Sequence, residues 1–362
     1  MASKGSYPIK IKTINGSFQF IVNRYKTREG LKSWLRLTDR KLDEHHESEL
    51  LQEFALLYAG KMSYQETSEL VRRRSGTSQL SDQRIGNLVG EKAAEITRKQ
   101  QKMIRENEKR GVKVKAVEAQ IYESESVEIV FLADGICVSE QKAKRDKQAK
   151  KGKERVTTEM AMLQNKKGEY RTIVAGEGVS RVKLYQAEIV KEYGEKAEEI
   201  EVVALTDGAR SLKNEIKEVF GEQVSHILDW YHAEDKIRQL MTQIALNKEA
   251  KEKANELMIK ELWEGRGEEA IKYLAEMKVK NEKKRAELLG YLEKNRNYLI
   301  DYRRRKEAGK IIGSGRMEKQ NDIIVAKRQK KKGMSWSKKG SRNLALVTAY
   351  FPSTIRGINY LQ

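Results

Sequence analysis

The chain has a single cysteine, Cys137, and only two prolines, Pro8 and Pro352, in 362 residues. A lone thiol excludes an internal disulfide framework and a cysteine-rich zinc module, and it suits a reducing compartment such as the cytoplasm. Scarce proline removes the strongest helix breaker, so much of the chain is expected to be helical. Long apolar runs are also lacking: none approaches the ~18 residues of a membrane span, and the N-terminus carries no signal-peptide core. There is no Walker loop and no Ser/His/Asp order around a nucleophile elbow, so neither a P-loop phosphate cradle nor an acyl-transfer triad is expected.

Positive charge is present in abundance. Hydrophobic residues make up 38% of the chain, charged residues 35%, and the net charge is +20. Its distribution is uneven. Residues 141 to 155 hold eight Lys and Arg against Asp146 and Glu154, a net of +6, and residues 303 to 343 hold fifteen against Glu307, Glu318 and Asp322, a net of +12. Elsewhere the signs nearly balance, as on an ordinary solvated surface. Concentrated positive charge attracts a polyphosphate such as double-stranded DNA through counterion release; the alternative is a flexible solubilising loop and a basic tail. The candidate DNA-binding side chains are Lys147, Lys150, Lys151 and Lys153 in the first segment and Lys327, Arg328, Lys330 and Lys331 in the second.

Each basic segment adjoins a short acidic station. Asp134 ends the run Val127-Glu-Ile-Val-Phe-Leu-Ala-Asp-Gly135, Asp207 ends Val202-Val-Ala-Leu-Thr-Asp-Gly208, and Glu318 follows Ile311-Ile-Gly-Ser-Gly-Arg-Met. The first two close apolar, β-branched runs and precede glycine, which predicts strand ends. Asp-Gly also makes ordinary turns, and that reading stays open at this point. Carboxylates at the mouths of neighbouring strands can hold a divalent metal, because hard cations take oxygen ligands and leave positions open for water and phosphate. The Gly313-Ser-Gly315 turn lets the backbone approach phosphate closely, and Glu318 falls in the first turn of the helix that follows. Asp322, four residues on, shares its face and is the main rival as third ligand.

Along the chain, residues 7 to 24 read as a hairpin around Asn15-Gly16, and the pattern is helical from about 27 to 105. Ser63-Tyr-Gln-Glu66 is a capping box, and Ser81 caps the next helix. The two helices resemble a helix-turn-helix, with Gln83, Arg84 and Asn87 placed where base edges would be read. Residues 91 to 118 are a charged helix or linker. Strands are expected at 127–138, 154–163, 168–175, 200–206 and 224–229, with helices near 180–193 and 209–219 and another from 231. The order β-β-β-α-β-α-β is that of a ribonuclease-H-like fold, in which the strands bearing Asp134 and Asp207 are neighbours. The charged helical stretch to about 308 reads as an insertion with almost no turn signals beyond Glu264-Gly-Arg-Gly267.

The expected architecture is therefore α/β: a ribonuclease-H-like catalytic domain on a mixed five-stranded sheet, an all-α insertion, and a mostly helical N-terminal region. The boundaries fall at 1–118, 119–232, 233–308 and 309–362.

These strings resemble the DDE transposases of bacterial insertion sequences, most closely the ISLre/ISKra-type group and more distantly the Mutator-like group. The resemblance rests on Leu132-Ala-Asp-Gly135, Leu205-Thr-Asp-Gly-Ala-Arg210, His226-Ile-Leu-Asp-Trp-Tyr-His232, Ile312-Gly-Ser-Gly-Arg-Met-Glu318, and Arg328 with Gly333-Met-Ser-Trp-Ser337. It implies that Asp134, Asp207 and Glu318 form a catalytic triad binding two Mg2+ or Mn2+ ions. Asp229-x-x-His232 resembles the (Cys/Asp)-x-x-His signature of that family, with His232 in a structural or DNA-positioning role. The implied activity is cleavage and strand transfer at the terminal inverted repeats of an insertion sequence, by a homo-oligomer assembled on DNA at the nucleoid. The alternatives are an inactive or domesticated DNA-binding relative and a ribonuclease-H-like nuclease.

Overall fold

The computed structural model describes residues 2–27, 30–33, 45–77, 79–141 and 154–355. Lys147, Lys150, Lys151 and Lys153 lie outside the described residues. The chain forms two compact units, Met1–Lys99 with Cys137–Thr158 and Ile323–Gln362, and Gln100–Ile136 with Glu159–Asp322. No helix among the described residues is long and apolar enough to cross a membrane.

The first unit opens with an antiparallel sheet in the order β1 (Ala2–Thr13), β2 (Gly16–Thr27), β3 (Gly30–Ser33). Thr13 pairs with Gly16, so Ile14-Asn15 is the two-residue turn, and Gly16 opens β2 at φ 127, where a side chain would be strained. Strand β3 corrects the expectation of helix from residue 27. It pairs with β2 from Thr27↔Gly30 to Arg24↔Ser33.

Three helices follow: α1 (Glu49–Ala59), α2 (Tyr64–Ser75) and α3 (Asp82–Arg110). Both expected caps form. Ser63 Oγ accepts from the Glu66 amide at 3.1 Å while the Glu66 carboxylate accepts from the Ser63 amide at 2.7 Å, and Ser81 Oγ accepts from the Arg84 amide at 3.1 Å. The apolar positions of these helices and of the C-terminal helix Lys338–Ile355, among them Leu51, Ala55, Val71, Ile85, Leu344 and Val347, are buried.

The second unit is built on a mixed sheet. Its strands are β4 (Ala116–Val117), β5 (Ile129–Ser139), β6 (Arg155–Gln164), β7 (Tyr170–Val174), β8 (Ile200–Thr206) and β9 (Ser225–Leu228). They lie in the order β7-β6-β5-β8-β9, and the two-residue β4, too short to show a strand pattern in the sequence, also pairs with β8. Strands β5, β8 and β9 run parallel, and β6 and β7 antiparallel. The helices α4 (Arg181–Tyr193) and α5 (Arg210–Phe220) share one hydrophobic core with Phe131, Ala133, Val202 and Ala204. Side chains alternate along a strand, so Val130, Leu132 and Asp134 of β5 take the opposite face, as do Val203 and Leu205 of β8.

The expected all-α stretch comprises α6 (Trp230–Ile244), α7 (Lys248–Trp263), α8 (Gly267–Glu276), α9 (Glu282–Lys294) and α10 (Tyr302–Glu307). Three of its turns are marked by capping side chains rather than by glycine or proline. Asn247, Asn281 and Asp301 each cap the next helix by accepting from the backbone three residues on. Just before the Gly-Ser-Gly turn, Arg305 is fully buried against the Glu128 carboxylate and the carbonyls of Ile121 and Ile311, which ties the returning chain to the segment that enters β5.

Candidate active site

Asp207 is the residue after β8, whereas Asp134 lies inside β5, with five more strand residues beyond it. That departs from a strand end at Asp134 and agrees with the strand expected over 127–138. Apolar alternation resumes at Ile136 and Val138, both buried, and carries the strand on past Gly135. The parallel register runs from Ile129↔Val202 to Leu132↔Leu205, and its continuation by two residues sets Asp134 beside Asp207.

Burial holds the Asp134 carboxyl above the usual aspartate range. The Gly135 amide opposes the rise by donating to Oδ1 at 2.7 Å, the nearby Asp207 charge adds to it, and His232 and Asn321 oppose it. Asp207 Oδ1 accepts from the Ala209 amide at 2.8 Å, which fixes its carboxylate at the entry to α5. Gly208 stands at φ 84 with Asn295 packed where a side chain would go, so glycine is required there by both conformation and space.

The spacing Asp229-x-x-His232 follows from helix capping. Asp229 is the N-cap of α6, and its Oδ1 accepts from the His232 amide at 3.1 Å, the third position of the helix. Its other oxygen, Oδ2, accepts from the Ser314 amide at 2.5 Å, and the Trp230 amide donates to the Ile312 carbonyl at 3.0 Å. The fully buried Asp229 therefore binds the start of α6 to the Gly-Ser-Gly turn. A side chain at Gly313 would collide with the Tyr231 ring, so glycine permits this close approach. The turn leads into the short α11 (Gly315–Asn321), which carries Glu318. The half-exposed Glu318 carboxylate lies 3.3 Å from His232 Nε2. The two ends of the signature thus do different things: Asp229 anchors the turn and His232 meets the acid that the turn delivers.

Asn321 was not among the expected residues. It is 6% exposed, and its Nδ2 donates to Asp134 Oδ2 at 2.6 Å, while its Oδ1 is buried without a partner. Its spacing from Glu318, three residues on one helix, was visible in the sequence; its contact was not. Asp322, the expected rival, begins a wider π-turn, Asp322–Ala326, directly after α11.

Among the described residues no group of three or more His, Cys, Asp or Glu side chains lies close enough to hold a metal ion. The donors that do meet nonetheless suit a hard cation. They are the oxygens of two neighbouring carboxylates, Asp134 and Asp207, and a buried amide oxygen with no partner, that of Asn321; the half-exposed Glu318 meets His232.

Two residues assigned to DNA contact are held inside the first unit. Arg84 has a side chain only 11% exposed and is ion-paired with Glu47 at 2.9 Å and Glu91 at 2.7 Å, so it does not reach for base edges. Arg328 is 3% exposed, its guanidinium lying 4.9 Å from the Trp336 ring and 5.6 Å from that of Tyr64, with Nε donating to the Ala59 carbonyl at 3.2 Å. Arg328 and the Trp336 that follows it in sequence are therefore a packing pair, not a phosphate clamp. Lys327, Lys330 and Lys331 are exposed. Gln83 and Asn87 are also exposed, and Asn87 lines a groove of about 490 Å3 with Gly86, Gly90, Ser337, Lys339 and Asn343.

Residues 3–359 match the sequence model of the uncharacterised protein family UPF0236. The chain belongs to that family. No curated protein matches it. Among solved structures it is similar to the Drosophila P element transposase strand transfer complex, at 8% identity and a TM-score of 0.26, over 91% of this chain and 87% of that one. That likeness is too slight to bear on function.

Proposed function

We propose that this chain is a DNA transposase that cleaves and joins phosphodiesters with two Mg2+ or Mn2+ ions, and that its second unit is a ribonuclease-H-like catalytic domain. The observation that carries the reading is the meeting of Asp134 and Asp207 on adjacent parallel strands, with Glu318 brought toward them through His232. The strand order β7-β6-β5-β8-β9, three strands in sequence and then two parallel ones added on the other side, is the order expected of a ribonuclease-H sheet.

In this reading Asp134, Asp207 and Glu318 hold the metal. Bound divalent metal supplies an activated water or 3′-hydroxyl and neutralises charge on the scissile phosphate. The protein's part is positional. The Gly135 amide and Asn321 orient Asp134, the Ala209 amide orients Asp207, His232 holds Glu318, and Asp229 locks the turn that carries Glu318. Exposed Lys327, Lys330 and Lys331 contribute backbone affinity, and Gln83 and Asn87 are the side chains suited to purine edges in the terminal repeats.

The test is Mg2+-dependent cleavage of duplexes carrying any inverted repeats found in the DNA that flanks the reading frame. Asp134→Asn, Asp207→Asn and Glu318→Gln should each abolish cleavage and leave DNA affinity within about twofold, because they remove metal ligands and no phosphate contacts. Full cleavage by Asp134→Asn or Asp207→Asn would sink the proposal. Cleavage retained in Glu318→Gln but lost in Asp322→Asn would move the third ligand to Asp322.

A further inference from the structure

The Asp134 carboxylate receives one donor on each oxygen: the Gly135 amide on Oδ1 at 2.7 Å and Asn321 Nδ2 on Oδ2 at 2.6 Å. Two donors on different oxygens set the plane of the group and leave further lone pairs for a cation. The amide orientation of Asn321 is fixed by this contact, since the flipped form would press an oxygen against the carboxylate oxygen at the same distance. Its Oδ1 is then left buried with no partner in the protein. Buried amide oxygens are normally satisfied, so an orphan beside a carboxylate pair is open to a cation or an ordered water. Asn321 also lies on α11 three residues after Glu318, on the same side of the helix.

We propose that Asn321 is a positioning residue of this site, holding Asp134 for a divalent cation through Nδ2 and offering Oδ1 as a further oxygen donor to that cation. The inference rests on the metal-dependent reading above. It extends the protein's contribution beyond the three acids and makes α11 a two-residue element of the site, with Glu318 and Asn321 acting together. Asn321 is not expected to touch DNA, because it is buried.

The experiment is Mn2+ binding to the full chain, followed by the loss of the free-ion EPR signal across pH 5 to 8, with no DNA present. Asn321→Leu removes both the donor and the oxygen, and affinity should fall about 10- to 100-fold. Asn321→Ser stays polar but withdraws both amide atoms, so affinity should fall by a similar factor. A packing residue would lower the stability of the fold without lowering the Mn2+ affinity of the folded protein, and wild-type affinity in both variants overturns the proposal. If Asn321→Leu fails to fold, Asn321→Ser decides by its affinity. Asp134→Asn is the control that separates the two claims. Loss of Mn2+ binding in Asp134→Asn with no change in either Asn321 variant defeats the role of Asn321 alone, whereas unchanged binding in Asp134→Asn defeats the metal site with it.

Discussion

Asp229 is the residue whose replacement separates anchoring from chemistry. It is fully buried, and its two oxygens satisfy two different backbone donors, the His232 amide at the start of α6 and the Ser314 amide in the turn before α11. Asparagine can do one of these tasks. Its oxygen caps α6 as well as an aspartate does, but its amide then faces the Ser314 N–H, donor against donor. One unsatisfied buried donor costs about 2 kcal/mol, so Asp229→Asn should be destabilised by that amount with α6 intact. Alanine loses both bonds. The cap contributes about 1 kcal/mol and the charge-assisted bond to Ser314 about 2 to 3, so Asp229→Ala should lose about 3 to 4 kcal/mol.

Urea unfolding reads both values. Cleavage gives an independent readout, because freeing Ser314 loosens the turn that delivers Glu318 while leaving all three acids and the exposed lysines in place. Asp229→Asn should therefore lose cleavage and keep DNA affinity. Equal destabilisation of the two variants, or stability of both within about 0.5 kcal/mol of wild type, would refute the two-donor reasoning.

Two further outcomes follow from charge. Burial, aided by Lys213 and Lys217, pushes His226 down from 6.5 to about 4, so it is neutral in the fold with Nε2 against the Thr206 hydroxyl at 2.9 Å. A depressed folded value means the stabilisation is complete above pH 6.5 and is lost as pH falls toward 4; it amounts to about 3 kcal/mol, and His226→Gln should remove that part of the pH dependence of unfolding, whereas an unchanged slope would overturn the assignment. Replacing Lys327, Lys330 and Lys331 together by Gln should weaken binding to all DNA sequences alike and flatten the salt dependence by up to about 0.9 log-log units per lost phosphate contact, so a wild-type slope would show that these lysines are solvated bystanders.

The elements were legible where a short-range rule decides them. Helices α4 and α5 and strands β5 to β9 fall within about two residues of their expected places, because β-branched alternation and 3.6-residue periodicity are properties of a few neighbouring side chains. The Ser63 capping box and the Asp229-x-x-His232 spacing were legible for the same reason. Strand β3 was not. Its four residues carry no clear alternation and are drawn into a sheet by the edge of β2.

Amino-acid order sets the chemical groups and their local settings: two Asp-Gly steps on apolar runs, a glycine turn before Glu318, and charge concentrated in two segments. Which of those groups meet depends on the packing of elements distant in the chain. Arg84 looked like a reader of base edges and Arg328 like a DNA contact, but partners distant in sequence, Glu47 and Tyr64 among them, bury them in ion-pair and aromatic contacts. Asn321 looked unremarkable beside Asp322, yet it is Asn321 that reaches Asp134, 187 residues away. Spacing along a helix or strand is set by bonds within a few residues, whereas exposure and long-range pairing depend on which surfaces pack, and no local pattern contains that information.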